Sequence, residues 1–541
     1  MSDPENPNIG NRTTPQWALM QREQFWATNE GKHPPFNTHP EKLKALAEER
    51  LSKGGWLYAS CNAGLSWTHY ANRLAFYRHQ VIPRMLVNTN ARDTATTIFG
   101  HKVAAPIGFA PIGINKIYHP TGELSPAKVA SELNLAYSLS SAGSYSIEDV
   151  AKANGDGPRF YQLYWSPNDD VTISMLERAA KNGYTALILT TDTWQLAWRH
   201  DDVYNSNYAF YHEHGAGDLG LQDPAFLESL KRKELYPDRE PKKVGAEWID
   251  KHIWHGHSFS WERLPWLMEQ WKRISGGKPF CIKGIQSVAD AKKAVEMGVD
   301  GLVVSNHAGR QVDGAIASLD ALERIAEAVG DKTYIMFDSG IRSAADVFKA
   351  LALGAKFVFI GRLWVWALGA AGEEGVRHEV RALLAEFDIM MNVAGYPKLE
   401  DINRDAIDSL PKELYQPQKA VWHYTDGGVL IEEDGTHKLT MGGSGTSGLL
   451  RFKTEQGKEA FFVSMGVHNY KPWIDIITGL ANDVTGVRAL SEYYNGTHAE
   501  RERSREAQST SQEILNADHR KIGARFAVSD GKNLELHIIV G

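Results

Sequence analysis

Cysteine is almost missing from this chain. Its 541 residues include two, Cys61 and Cys281, too few and too far apart for a disulfide framework or a thiolate zinc site. That usage points to a reducing, cytoplasmic compartment. Also missing is any run of about twenty apolar residues, the length a helix needs to cross a bilayer, so no membrane partner is expected. Residues 1–12 are polar and lack the apolar core of a signal peptide. Dense basic blocks are lacking too. The 59 Lys and Arg stand against 66 Asp and Glu, a formal net charge of −7, which argues against nucleic acid as a partner. What is there is the composition of a water-soluble globular protein, 43% hydrophobic and 23% charged, in a chain long enough for two or three domains.

Residues 1–40 are rich in Asn, Pro, Thr and His, with one short helical patch at 17–20, and read as a partly ordered arm. Helical segments at 40–51 and from Gly64 through Phe76 follow. From residue 106 a short β-branched or apolar run, a Gly- or Ser-rich end and a helical segment recur in that order. The strand candidates are 106–110, 136–140, 159–164, 186–190, 279–283, 301–305, 334–338 and 356–360. Amphipathic helices lie between them at 171–181, 288–297, 319–329 and 344–353, and a last one at 374–386. A doubly wound sheet would accommodate this alternation, but eight units in succession favour closure into a (β/α)8 barrel, an α/β fold, across 41–407. After a short junction at 408–416 the character changes. Residues 417–541 carry short alternating runs at 449–452, 460–465 and 535–540 between Gly-rich turns, and predict a smaller, mostly β domain.

The stretch 305–313 concentrates the chemistry. His307 and Arg310 follow a strand candidate with Gly309 between them, so both can face one pocket. An imidazole takes a proton near neutral pH, and a guanidinium grips a carboxylate with two hydrogen bonds. Together they suit removal of hydrogen from a hydroxy acid. A polar loop with a surface arginine is the bland alternative. Other strand candidates end in polar residues as well: Ser140 and Ser141, Gln162 and Tyr164, Thr190 and Asp192, Lys283, then Asp338, Gly340 and Arg342, and finally Gly361 and Arg362. Active sites of (β/α)8 barrels lie at that end, with phosphate commonly bound after strands seven and eight. Residues 194–278 interrupt the repeat with aromatic flanks and a charged middle, as a lid over the pocket would. His252, His255 and His257 lie close together there without a matching carboxylate, so a structural role is expected and no metal.

The stretch 305–313, Tyr161-Gln162-Leu163-Tyr164, Thr190-Thr191-Asp192-Thr193, Lys283-Gly284 and Asp338-Ser339-Gly340-Ile341-Arg342 together resemble the FMN-dependent 2-hydroxy acid oxidase family over residues 40–407. Thr193-Trp194, Trp198-Arg199, Trp254-His255-Gly256 and Gly256-His257-Ser258 place the likeness nearest the lactate 2-monooxygenase branch. The resemblance implies an FMN cofactor, a small L-2-hydroxy acid substrate, O2 as acceptor and a homo-oligomer. It assigns His307 as the base that takes the hydroxyl proton as hydride passes to the flavin, or the Cα proton in a carbanion route. It makes Asp192 the group that holds the imidazole. Arg310, Tyr58 and Arg199 would bind the substrate carboxylate, and Tyr164 the hydroxyl or developing carbonyl. Lys283 would lie beside the reducible ring edge. Ala110, Ser140, Gln162, Thr190 and Ser305 would contact the flavin, Asp338 its ribityl chain, and Gly340, Arg342, Gly361 and Arg362 its phosphate. Four departures stand out: Ala308-Gly309 for paired glycines, Leu65-Ser66 for an acidic pair, Leu363 for proline, and Ala142 where a larger residue is usual. The last implies a roomier substrate space.

Trp422-His423-Tyr424, 439–448, Gly466-Val467-His468-Asn469-Tyr470 and Tyr493-Tyr494 resemble the fungal fruit-body lectins over 413–541. That likeness implies an actinoporin-like β-sandwich. It places a galactose/N-acetylgalactosamine site at Thr425, Ser444, Gly445 and Asn469, and part of an N-acetylglucosamine site at Asp475, Ile476 and Thr478. The family's first strand has no counterpart here. Three alternatives stay open on the sequence: a lectin on an inactive barrel, a flavin dehydrogenase with another electron acceptor, and two adjacent genes read as one.

Overall fold

A computed structural model describes residues 12–208 and 220–410 throughout, and beyond them the backbone of eight strands between 420 and 540. Its contacts divide the chain into two units, 1–410 and 411–541.

In the first unit eight parallel strands close into a barrel: β1 (Ile107–Phe109), β2 (Ala136–Ser140), β3 (Arg159–Leu163), β4 (Leu187–Thr190), β5 (Phe280–Ile285), β6 (Gly301–Val304), β7 (Tyr334–Phe337) and β8 (Phe357–Ile360). Closure comes where β8 pairs with β1, Val358 opposite Ile107. All eight expected strands form, within a residue or two of the expected ends. They are short apolar runs because both faces are buried, as parallel strands require. Alternate residues separate into two cores. Phe160, Ile188, Cys281, Val303, Met336 and Phe359 fill the lumen, and Ile98 and Val103 of a small hairpin pack with them. The intervening residues face the helices.

The helices start where capping residues stand. Ser146, Asn168 and Ser287 each accept a hydrogen bond from a backbone N–H of the first turn, in helices Ile147–Asn154, Asp169–Lys181 and Val288–Glu296. The last helix departs from expectation. It runs from Arg362 to Ala394, not only over 374–386, and bends at Ala371–Gly372. Its first half, including Trp364, Val365, Trp366 and Leu368, is buried nearly all round and so shows no amphipathic period to read.

The arm is anchored from residue 12 onward. The guanidinium of Arg12 meets both oxygens of Asp388 at 3.0 and 3.1 Å, and Arg92 Nε donates to the same buried carboxylate at 2.8 Å. Helix Leu19–Asn29 follows. The insertion is folded where it is described, with helices His200–Tyr204, Pro224–Arg232 and Pro241–Trp248 and a π-helical turn at Ile249–Ile253. Among the described residues no helix is long and apolar enough to cross a membrane.

In the second unit the strands Glu459–Gly466, Asn533–Val540, Lys521–Ser529 and Gln512–Leu515 form an antiparallel sheet in that order. Thr425, Ser444, Gly445, Asn469, Asp475, Ile476 and Thr478 lie outside the described residues.

Candidate active site

The C-terminal ends of the strands carry most of the predicted residues to one rim, which Tyr58 joins from the helix Lys53–Ser60 and Arg199 from the insertion. His307 Nδ1 lies 2.8 Å from Asp192 Oδ1, although 115 positions separate them. Thr193 Oγ1 donates to the same Oδ1 at 2.7 Å and sits 3.1 Å from His307 Nδ1. With an ionised carboxylate accepting at Nδ1, the proton of the neutral ring belongs there and Nε2 is left as the basic nitrogen. Burial opposes ionisation of Asp192, but the charges of His307 and Lys283 and the hydrogen bonds to it outweigh burial and hold its pKa at about 2. Burial also lowers the pKa of His307; Asp192 pulls the other way, Lys283 adds to the lowering, and the net displacement is downward. The resting pair is therefore a carboxylate and a neutral imidazole.

The main chain is bent to make this contact. Gly284 has φ +103°, and a Cβ there would stand 2.8–2.9 Å from the Asp192 side chain. The ladder between β5 and β6 is irregular at Lys283 and Ile285, where a bulge re-aims the strand end. Gly309 is equally constrained, since a Cβ would meet the His69 backbone nitrogen at 2.5 Å. His307 and Ala308 are both left-handed, φ +56° and +58°. An alanine in that region is strained by about 1–2 kcal/mol. Ala308→Gly is accordingly expected to stabilise the protein by up to ~1 kcal/mol, seen as a higher Tm in thermal unfolding. A lower Tm would show that the methyl group packs for more than the strain costs.

Lys283 is buried. Its Nζ donates to Ser305 Oγ at 2.9 Å and pairs with Asp338 at 3.2 Å. Burial alone would lower its pKa, but Asp338 and Asp192 reverse that and the net shift is upward, so it stays an ammonium ion. Asp338 also accepts from Ser339 Oγ at 2.7 Å. Across the opposite strand ends Ser140 Oγ donates to Gln162 Oε1 at 2.8 Å, and Gln162 Nε2 donates to Thr190 Oγ1 at 2.9 Å.

The cations lie in two groups. Arg310 donates to the Cys61 carbonyl at 2.6 Å, and its guanidinium carbon lies 5.2 Å from the centre of the Tyr58 ring. Arg199 is buried, donates to the Arg310 carbonyl, and is held down to about 10 by burial and by the charge of Arg310. Tyr164 is buried close by, against Trp254. At the ends of β7 and β8, Arg342 lies over the Trp366 ring at 4.8 Å. Arg362 is not free: it donates to Ala59, Asn62 and Ala308. Burial lowers the pKa of both, and their mutual repulsion adds to the lowering at Arg362. Among the described residues none of Arg310, Arg342 and Arg362 forms an ion pair with a carboxylate. Such a set waits for anions.

Residues 47–409 match the model of the FMN-dependent dehydrogenase family. The chain belongs to that family. It is 41% identical over 381 residues to an FMN-dependent alpha-hydroxy acid dehydrogenase of Schizosaccharomyces pombe, covering 70% of this chain and 92% of that protein. It is 35% identical to an L-lactate oxidase of Lysinibacillus sphaericus, covering 68% and 92%. The crystal structure of mandelate oxidase superposes with a TM-score of 0.58 at 30% identity, covering 69% of this chain and 98% of that one. Residues 409–538 match the fungal fruit body lectin model. The cofactor of this FMN-dependent dehydrogenase is FMN, and the rim suits it. Two arginines without acidic partners suit a phosphate, and a buried ammonium suits a ring edge that gains negative charge. A Cβ at Gly361 would make only ordinary contacts, with Ile112 at 3.6 Å and Ala110 at 3.9 Å, so protein packing does not demand glycine there. Asp192 Oδ2 is buried with no protein partner.

Several residues that organise this FMN-dependent dehydrogenase site received no role from the sequence, although all but Asn72 lie in its motifs. Thr193 secures Asp192, and Gln311 Nε2 donates to the Asp192 and Gln195 carbonyls while its Oε1 accepts from Arg199. Asn72 and Asn306 exchange side-chain hydrogen bonds at 2.7–2.8 Å and pin the His307 loop. Asp313 accepts from the backbone of Leu65 and Thr68, a carboxylate beside the very segment, Leu65-Ser66, that lacks the acidic pair. His252 and His255 are engaged with Ser166 and the Trp165 carbonyl. Among the described residues one group of possible ligand atoms, His79, Asp320 and Glu323, already surrounds the Arg78 guanidinium.

Proposed function

We propose that this chain oxidises an L-2-hydroxy acid, with lactate the reference substrate, to the 2-keto acid, and that O2 is the final electron acceptor. The observation that carries the reading is the 2.8 Å contact between His307 and Asp192 at a rim that also holds Arg310, Arg199 and Tyr58. Arg310 and Arg199 would bind the substrate carboxylate with the Tyr58 hydroxyl. Tyr164 would donate to the substrate oxygen, since burial keeps its phenol protonated. His307 Nε2 would take the hydroxyl proton, and Asp192 would stabilise the resulting imidazolium. Ser140, Gln162, Thr190, Ser305, Lys283 and the Ala110 backbone would hold the cofactor ring. Asp338 would hold its sugar-alcohol chain, and Gly340, Arg342, Gly361 and Arg362 its phosphate. Bound there, FMN supplies the two-electron acceptor for the hydrogen on the substrate Cα. How long the insertion retains product would decide between release of keto acid with hydrogen peroxide and decarboxylation to a shorter acid, the monooxygenase outcome.

The purified protein should be yellow, and an L-2-hydroxy acid should bleach it without oxygen. A panel of such acids that leaves the colour intact would favour the alternative, a lectin on an inactive barrel. Acidity should act through His307. Its neutral form persists until pH falls through a pKa that lies below the usual 6.5. The profile of kcat/KM should therefore be flat near neutrality and carry an acid limb with its inflection below about 6.5. An acid limb centred above that value would remove His307 as the base.

For the second domain we infer binding of galactose/N-acetylgalactosamine-type glycans through Thr425, Ser444, Gly445 and Asn469, with Asp475, Ile476 and Thr478 at a second sugar site, on a β-sandwich. Asn469→Ala should abolish retention on a galactosyl-N-acetylgalactosamine column, and a parent protein that binds no glycan would retire this half of the reading. A cytoplasmic location and a homo-oligomeric state complete the proposal.

A further inference from the structure

A cavity of about 440 Å³ lies against the insertion, and the roles above leave most of its wall unassigned. Tyr58 and Arg199 form part of its wall. Trp198, Tyr208 and Trp254 add three aromatic rings, and Trp254 packs edge-on against Tyr164 with centroids 6.1 Å apart. The space is thus bounded by the groups assigned to the substrate carboxylate and by residues of the insertion. At roughly 30 Å³ per molecule it has room for on the order of fifteen waters, and it falls within the size range of small-molecule pockets. The methyl group of lactate would leave most of that volume to solvent. Ala142, the small residue that suggested a roomier site, is not in this wall; it is buried, and its carbonyl accepts from Ile114.

The wall also carries sign information. Asp202 and Asp250 both line it. Asp202 is 3.9 Å from Arg199, and Asp250 accepts from the Tyr208 hydroxyl at 3.2 Å. A side chain ending in a second carboxylate would meet two like charges against one guanidinium, Arg199, whose partner is the carboxylate of the substrate itself, whereas an aromatic ring would meet other rings.

We propose that this cavity is the side-chain subsite, and that the preferred substrates are L-2-hydroxy monocarboxylic acids with a bulky aromatic side chain. The inference rests on the oxidase reading and narrows it. Discrimination of about 10–200-fold accompanies even one methylene in an apolar pocket, so an added phenyl group should register clearly.

The test uses the full-length holoenzyme with L-lactate, L-3-phenyllactate and L-malate, in anaerobic reduction and in steady state. The value of kcat/KM is expected to be at least tenfold higher for phenyllactate than for lactate, with malate the poorest of the three. Ala197→Trp, which adds an indole to the cavity wall, should cut phenyllactate turnover tenfold or more and change lactate turnover less than threefold. Val203→Trp is the second filler, used if the first does not fold. Lactate equalling or outrunning phenyllactate would overturn the assignment while leaving the oxidase reading standing. Equal losses on both substrates in a folded filler variant would overturn it too. No reduction by any of the three acids would bring down the oxidase reading and this inference with it.

Discussion

His307→Ala is expected to bind FMN as the parent does and to be reduced by an L-2-hydroxy acid roughly a thousandfold or more slowly, in the upper part of the range for removal of a general base. The imidazole is well prepared for the task. Its Nδ1 is tied to Asp192 Oδ1 at 2.8 Å, and Thr193 Oγ1 donates to the same oxygen. Burial keeps the ring neutral in the resting protein, so it can accept a proton, and the adjacent carboxylate stabilises it once it has done so. The alanine variant leaves Lys283, Gln162 and the two arginines of β7 and β8 in place, so the flavin absorbance should survive. Rapid-mixing measurements under nitrogen provide the check. Reduction within tenfold of the parent would remove His307 from its role.

Lys283→Met is expected to harm both stability and flavin chemistry. The ammonium group pairs with Asp338 at 3.2 Å in a buried setting and donates to Ser305. Removing one partner of such a pair strands the other charge, a change that costs about 3–5 kcal/mol. The same substitution deletes the cation proposed to face the ring edge that gains negative charge on reduction, and loss of one such stabilising group slows a reaction by about 10²–10³-fold. A lower Tm, a lower flavin-to-protein ratio and slow reduction of the flavin that remains should appear together. A variant with the parent's Tm and full flavin content would show that Asp338 is satisfied without Lys283.

Much of the barrel is legible in the sequence because its strands are parallel and buried on both faces. Each becomes a short apolar run, such as Gly301–Val304 or Phe357–Ile360, and helices separate them at regular intervals. The polar strand ends are legible for the same reason, as the points where those runs stop. The long helix from Arg362 is only half legible, since a segment buried all round has no periodic face. Asn72 carries no signal by type or spacing, and Thr193, Gln311 and Asp313 stand inside the motifs without anything local to say what they hold. Asn72, Gln311 and Asp313 act on distant partners, as Asp313 does on Leu65, whereas Thr193 acts on its neighbour Asp192.

By itself, then, the order of residues determined that a β/α repeat would run from 106 to 360 and which side chains would stand at its strand ends, because burial of each strand imposes a local pattern. Tertiary structure made the contact between His307 and Asp192 that the resemblance implied, and it alone decided that Gly284 leaves room for the carboxylate and that the insertion borders a cavity beside Tyr58 and Arg199. Those are contacts between distant segments. They exist only once ring closure of the sheet brings the strand ends to a common rim, and no local periodicity encodes that closure.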